Sequence, residues 1–134
     1  MNESANTDKG HRATVLVVDD SKTILVAVGQ ILQQENYKVL TASNGEEGVE
    51  KAEAEHPDLI LMDIEMPIMN GYQAVQTIRA SEQLQETPII MITTRNALED
   101  VEKGYMSGCN DYVFKPVNTH EFLEKVRSWL ETAE

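Results

Sequence analysis

The chain has 134 residues, enough for one domain with its own core and too few for two. No apolar run approaches the roughly 20 residues of a membrane span, and the polar opening MNESANTDKGHRAT lacks the apolar stretch of a secretory signal. Asp plus Glu number 23 against 11 Lys plus Arg, a formal net charge of −12 that repels nucleic acid and anionic membranes and leaves proteins and cations as the expected partners.

Apolar, β-branched runs alternate with helical periodicity five times along the chain. Thr14 to Val18 reads as a first strand ending in Asp19-Asp20, and Ile24, Leu25, Val28, Ile31 and Leu32 form one face of a first helix. Tyr37 to Thr41 is the second strand. Asn44 with Glu47 reads as a capping box opening a helix that Pro57 stops after about His56. Leu59 to Asp63 is the third strand, followed by the loop Ile64 to Gly71 and a helix marked by Tyr72, Val75 and Ile78. Pro88 to Thr93 is the fourth strand, and Leu98, Val101 and Tyr105 mark a fourth helix ended by Gly108. Tyr112 to Phe114 is a short fifth strand. Asn118 with Glu121 reads as another capping box, opening a helix whose face is Phe122, Leu123, Val126, Trp129 and Leu130.

The first, third and fourth strand runs are continuously apolar, as in parallel strands buried on both faces. The expected fold is α/β: a doubly wound five-stranded parallel sheet with five helices, of the flavodoxin-like type. Residues 1–12 are expected to be a flexible leader and 13–132 one domain, with no output domain.

Ligands of such sheets sit beyond the carboxyl ends of the strands. Asp19 and Asp20, Asp63, Thr93 with Thr94, and Lys115 before Pro116 stand at those ends. Three nearby carboxylates repel one another unless a cation relieves them, and Mg²⁺ prefers an oxygen shell of this kind. A carboxylate can also attack phosphorus, giving an aspartyl-phosphate whose charge a metal and Lys115 would neutralise, with Thr93 hydrogen-bonding a phosphoryl oxygen. Taken singly, each residue has an ordinary reading: turn or cap aspartates, a solvated lysine, a strand threonine. Their joint placement carries the inference.

Val-Val-Asp19-Asp20-Ser, Leu-Met-Asp63-Ile-Glu-Met-Pro67, Asn70-Gly71, Ile92-Thr93, Gly108 and Asp111-Tyr112-Val113-Phe114-Lys115-Pro116 resemble the receiver domains of two-component response regulators, and more closely the single-domain chemotaxis-type members, over roughly residues 13 to 131. The resemblance implies that Asp63 is the phosphoacceptor. It implies that Asp20, Asp63 and the Glu65 backbone carbonyl are direct Mg²⁺ ligands, and that Asp19 acts largely through water. Thr93 and Tyr112 resemble the coupled switch pair, Lys115 the phosphoryl partner, and the bond before Pro116 is often cis in this motif. The implied partners are a histidine kinase or phosphotransfer protein and a downstream protein that docks on the surface of helix 4, strand 5 and helix 5. Residues expected on that surface are Lys103, Tyr105, Asp111, Lys125 and Arg127; Met106 stands where a dimerising network has an acid, so a monomer or weak dimer is expected. Glu65, Thr94 and Arg95 are expected modulators of phosphoryl lifetime, Glu65 and Arg95 by meeting across the site mouth and Thr94 by crowding the pocket. The implied role is a cytoplasmic phosphoprotein switch, not a turnover enzyme, in a phosphorelay such as chemotaxis or motility control; a phosphate sink for a shared kinase and a passive interaction module are the alternatives.

A flavodoxin-type electron carrier is disfavoured because Asp19-Asp20 repels a flavin phosphate, and a haloacid-dehalogenase-like phosphatase because its motif has one residue between the aspartates. His56 and His120 read as surface or cap residues and His11 as part of the leader. Cys109, the one cysteine, can form no internal disulfide and reads as packing, in keeping with a reducing compartment. Trp129 is expected to pack in the core.

Overall fold

The computed structural model describes residues 10–131. In chain order the elements are β1 (Thr14–Val18), α1 (Lys22–Gln34), β2 (Lys38–Ala42), α2 (Gly45–Glu55), β3 (Leu59–Met62), α3 (Gly71–Arg79), β4 (Ile89–Thr93), α4 (Leu98–Ser107), β5 (Asp111–Phe114) and α5 (Thr119–Glu131). An unanticipated turn of 3-10 helix, Glu82–Leu84, follows α3. The five strands form one parallel sheet in the order β2-β1-β3-β4-β5.

Strand side chains alternate between the two faces, and so does the core. Leu16, Val18, Ile60, Met62, Ile89, Met91 and Tyr112 pack with α2 and α3 on one face. Val15, Val17, Leu59, Leu61, Ile90, Ile92 and Val113 pack on the other with Val28 and Leu32 of α1 and Phe122, Leu123 and Val126 of α5. Two-sided burial is why β1, β3 and β4 read as unbroken apolar runs.

Four local readings are corrected. β2 begins at Lys38, because the Tyr37 N–H donates to Leu32 O at the end of α1 and the first donor to the β1 side is Lys38 N–H, to Ala13 O; the buried Tyr37 donates its hydroxyl to Glu131 at 3.2 Å. Asn44 does cap α2 by accepting from Glu47 N, but Glu47 Oε1 accepts from the Ser43 backbone and hydroxyl and not from Asn44. The apolar residues that mark α4 do not all face the core: Leu98 is exposed, Tyr105 stands on the outer surface where it was expected, and Gly104 and Ser107 are the buried positions. Trp129 is exposed too, its indole N–H donating to Asp111 Oδ2 at 2.9 Å.

Residues 1–9 of the expected leader lie outside the described residues, but Arg12 is held firmly. Its backbone N–H donates to Asn36 O at 2.9 Å, and its guanidinium contacts Glu131 at 2.7 Å and lies 5.1 Å from the centre of the Tyr37 ring.

Candidate functional site

The parallel register sets the site. Val18 pairs with Met62 across β1 and β3, so the residues that follow them, Asp19 and Asp63, leave the sheet side by side. Their backbones stay anchored: Asp19 N donates to Ala42 O and Asp63 N to Val18 O. Ser21, not Asp20, is the N-cap of α1, its hydroxyl accepting from Ile24 N. Asp20 is thereby left exposed at the rim.

Asp19, Asp20 and Asp63 each offer a carboxylate oxygen, and these oxygens lie within 4.8 Å of one another. Asp19 and Asp63 are buried. The Lys115 ammonium reaches both, at 3.0 Å to Asp19 and 3.5 Å to Asp63, while the other Asp19 oxygen accepts from Ser21 N at 2.8 Å. Lys115 directly follows β5 and precedes a cis bond to Pro116, and its backbone N–H donates to Thr93 O at 2.9 Å.

Burial, reinforced by the neighbouring Asp19 charge, pushes the Asp63 carboxyl up to about 6; Lys115 offsets only part of this. Burial opposes the Lys115 ammonium, but hydrogen bonding and attraction from Asp19 and Asp63 outweigh it and raise its pKa. The site thus carries an excess of negative charge that a single lysine does not neutralise. Such an all-oxygen donor set fits a hard divalent cation.

Backbone closeness around Asp63 demands glycine at Gly71: a Cβ there would stand 2.2 Å from Asp63 O. Gly71 N donates to Ile64 O, and Asn70 forms a full capping box with Gln73, so α3 starts tightly against the loop. The same loop contains a strained turn. Met69 N donates to Pro67 O at 2.7 Å across Ile68, whose φ is +71°, a γ-turn of the rare positive-φ kind with a β-branched residue at its centre.

Thr93 is buried at the end of β4, its hydroxyl oxygen accepting from Arg95 N at 3.0 Å, and Thr94 is exposed. Glu65 and Arg95 do meet, at 2.6 Å, and Arg95 also contacts Asp100 in the first turn of α4 at 3.3 Å. The Tyr112 ring faces inward, with its hydroxyl donating to Asp100 O at 2.9 Å and the Tyr72 hydroxyl donating to the same carbonyl at 3.3 Å.

Sequence reasoning missed three residues here. Gly104 makes room for Tyr112: a Cβ would fall 1.8 Å from the Tyr112 hydroxyl oxygen. Asp100 receives both tyrosine hydroxyls through its backbone, which no side-chain motif reveals. Arg79, also unremarked, donates to the carbonyls of Leu84, Thr87 and Gly108 and to Asn110 Oδ1, pinning the loops beneath β4 and β5. Cys109 is buried as expected, and burial pushes its thiol up to about 11. His56 caps α2 in the left-handed region and His120 is exposed beside Glu124.

Known proteins place this arrangement. The response regulator receiver domain model matches residues 15–127. Protein PilH of Pseudomonas aeruginosa is 36% identical, with 88% of this chain and 98% of PilH covered. The polar-differentiation response regulator DivK of Brucella ovis is 29% identical, with 90% and 98% covered. Among solved structures, the Vibrio cholerae chemotaxis response regulator CheY4 superimposes with a TM-score of 0.84 at 36% identity, covering 88% of this chain and 98% of that one. The receiver domain of a Pseudomonas aeruginosa sensor histidine kinase, which has a magnesium ion coordinated in its active site cleft, gives 0.83 at 31% identity, with 88% and 97% covered. With its strand order, its acid cluster and these relatives in agreement, the chain belongs to the response regulator receiver domain family, the phosphoacceptor modules of two-component signalling.

Proposed function

We propose that Asp63 is the residue that accepts the phosphoryl group, from a histidine kinase, a phosphotransfer protein or a small acyl phosphate. The observation that carries this reading is the convergence of three carboxylates within 4.8 Å with the Lys115 ammonium at 3.0 and 3.5 Å. Asp63 Oδ attacks phosphorus, the bond from phosphorus to the donor nitrogen or oxygen breaks, and the leaving group takes the electron pair. Asp20, Asp63 and the Glu65 carbonyl would hold Mg²⁺, with Asp19 acting largely through water; bound there, the ion supplies charge neutralisation to the acceptor and the incoming phosphoryl oxygens. Lys115 exchanges its carboxylate contacts for phosphoryl oxygens, and the Thr93 hydroxyl donates to one of them. Thr93 and Tyr112 couple this change to the surface of α4, β5 and α5, where affinity for a downstream protein shifts. The domain is residues 13–132, it works in the cytoplasm as a switch and not through turnover of a substrate, and similarity to CheY4 supports a chemotaxis-type role.

Intact-protein mass after incubation with acetyl phosphate and Mg²⁺ tests the assignment. A Mg²⁺-dependent gain of one phosphoryl group in the native protein and none in Asp63→Asn is expected; equal labelling of both would move the acceptor elsewhere. The Glu65–Arg95 pair stands at the mouth of the site, 2.6 Å apart, and restrains the hydrolytic water. Glu65→Ala and Arg95→Ala should each release phosphate several-fold faster than native protein, and unchanged rates would reduce the pair to a surface contact. Thr94→Ala in the same assay reports whether the threonine crowds the phosphoryl pocket.

A further inference from the structure

On the surface of α4, β5 and α5 the cations are engaged and several carboxylates are not. The Lys125 ammonium binds Asp111 at 3.0 Å and the Tyr112 carbonyl at 2.6 Å, and the Lys103 ammonium lies 4.6 Å from the centre of the Tyr72 ring. Asp111 and Lys125, both expected on this surface, therefore satisfy each other within the chain. Glu99, Glu102 and Glu121 make no ion pair with any described residue. Glu99, Glu102 and Met106 follow one another at i, i+3 and i+7, one outward face of α4. The groove between β5 and α5 is lined by Asp111, Glu121, Glu124, Lys125 and Ser128, so its uncommitted charge is negative.

Next to these acids lies uncovered apolar surface. Met106 is 87% exposed, Tyr105 47%, Phe114 41% and Trp129 36%. The exposed Tyr105 and Phe114 rings both pack on the buried Tyr112 ring, with centroids 5.4 and 5.5 Å from it, so they neighbour each other at the surface. An apolar patch bordered by unpaired carboxylates is complementary to a segment with apolar side chains on one face and cations beside them.

We propose that this surface receives a basic amphipathic helix of a partner protein. Its apolar side chains lie on Tyr105, Met106 and Phe114, and its Lys or Arg side chains meet Glu102 on one side and Glu121 on the other. The inference rests on the receiver reading and adds the chemistry of the downstream partner. A second copy of this chain is the poorer occupant, because two such faces would oppose carboxylate to carboxylate in a molecule of net charge −12.

Trp129 is the chain's single tryptophan and stands beside the patch, so its fluorescence reports occupancy. The probes are a synthetic amphipathic helix of Leu and Lys and its counterpart with Glu for Lys, titrated into the full chain with and without acetyl phosphate and Mg²⁺. The Leu–Lys helix is expected to bind at least about tenfold tighter than the Leu–Glu helix. Both Met106→Asp and the pair Glu102→Lys with Glu121→Lys are expected to weaken it by about tenfold; all three positions are exposed, and circular dichroism verifies folding. Equal affinity for the two helices overturns the proposal. So does binding that neither variant weakens, which would be general attraction to an acidic protein, and so does a Trp129 change that tracks self-association in sedimentation. Intact mass in parallel separates the two levels: a phosphoryl adduct on Asp63 without charge-selective binding defeats this inference alone, whereas no adduct defeats the receiver reading.

Discussion

Asp63 is held in the form that costs the fold most at neutral pH. Burial and Asp19 raise its carboxyl to about 6, while in the unfolded chain it titrates near its ordinary value of 3.8. The folded state therefore binds the proton more tightly, and stability falls as pH rises from about 4 through about 6. In a chelator, Asp63→Asn is expected to be more stable than native protein by about 1–2 kcal/mol at pH 7.5, a value reduced from the full shift because the site mouth admits water. The difference should shrink towards pH 4; urea unfolding across that range checks it, and a pH-independent gap would assign the effect to packing. Ile68 gives a second residue-scale test. Its side chain is 75% exposed and its backbone is left-handed, so it gains little packing for the strain of φ +71°. Ile68→Gly should raise stability by about 1 kcal/mol, seen as a higher urea midpoint at unchanged slope.

The elements α4 and β5 meet through one missing side chain. Gly104 lets the Tyr112 hydroxyl reach Asp100 O, so the inward ring depends on a helix position with no Cβ. Gly104→Ala improves helix propensity by about 1 kcal/mol but drives the ring out of its pocket. A net loss of about 1–3 kcal/mol is expected in urea unfolding, together with new Tyr112 ring resonances in NMR spectra. Unchanged resonances would show that α4 shifts to accommodate the methyl group. The residues gathered at the site were legible because each ends a strand, and in parallel topology strand ends converge whatever the details of packing. The buried face of α4 was not legible: its first apolar residue, Leu98, points to solvent, and its small buried positions, Gly104 and Ser107, carry no hydropathy signal. Trp129 misled for a related reason. A large ring on the apolar stripe of α5 looked like core, but β5 offered its indole N–H a carboxylate at the surface.

At the scale of the whole molecule, the sheet separates two kinds of surface. The carboxyl ends of the strands gather charge in a small pocket, and the opposite edge carries the structural ties of Arg12, Glu35, Tyr37, Arg127 and Glu131. The doubly wound parallel sheet followed from the five βα units and the two-sided burial of β1, β3 and β4, whereas exact strand limits did not. Tyr37 and Asp111 moved across their predicted boundaries because the Tyr37 N–H bonds back to Leu32 O and Asp111 pairs with Ile90 across β4 and β5, backbone partners that sequence spacing does not encode. Among the described residues no helix is long and apolar enough to cross a membrane.

The Arg12–Glu131 contact has a practical meaning for anyone handling the protein. Because the guanidinium that precedes β1 grips the final residue of α5 at 2.7 Å, the two ends of the described chain leave from neighbouring points. That junction lies where β1 begins, at the far edge from the acids that follow its last residue. A fluorescent label or affinity bead joined beside Arg12 or Glu131 would thus hold the molecule from behind, with the phosphoryl-accepting pocket facing the solution and open to donors as large as another protein.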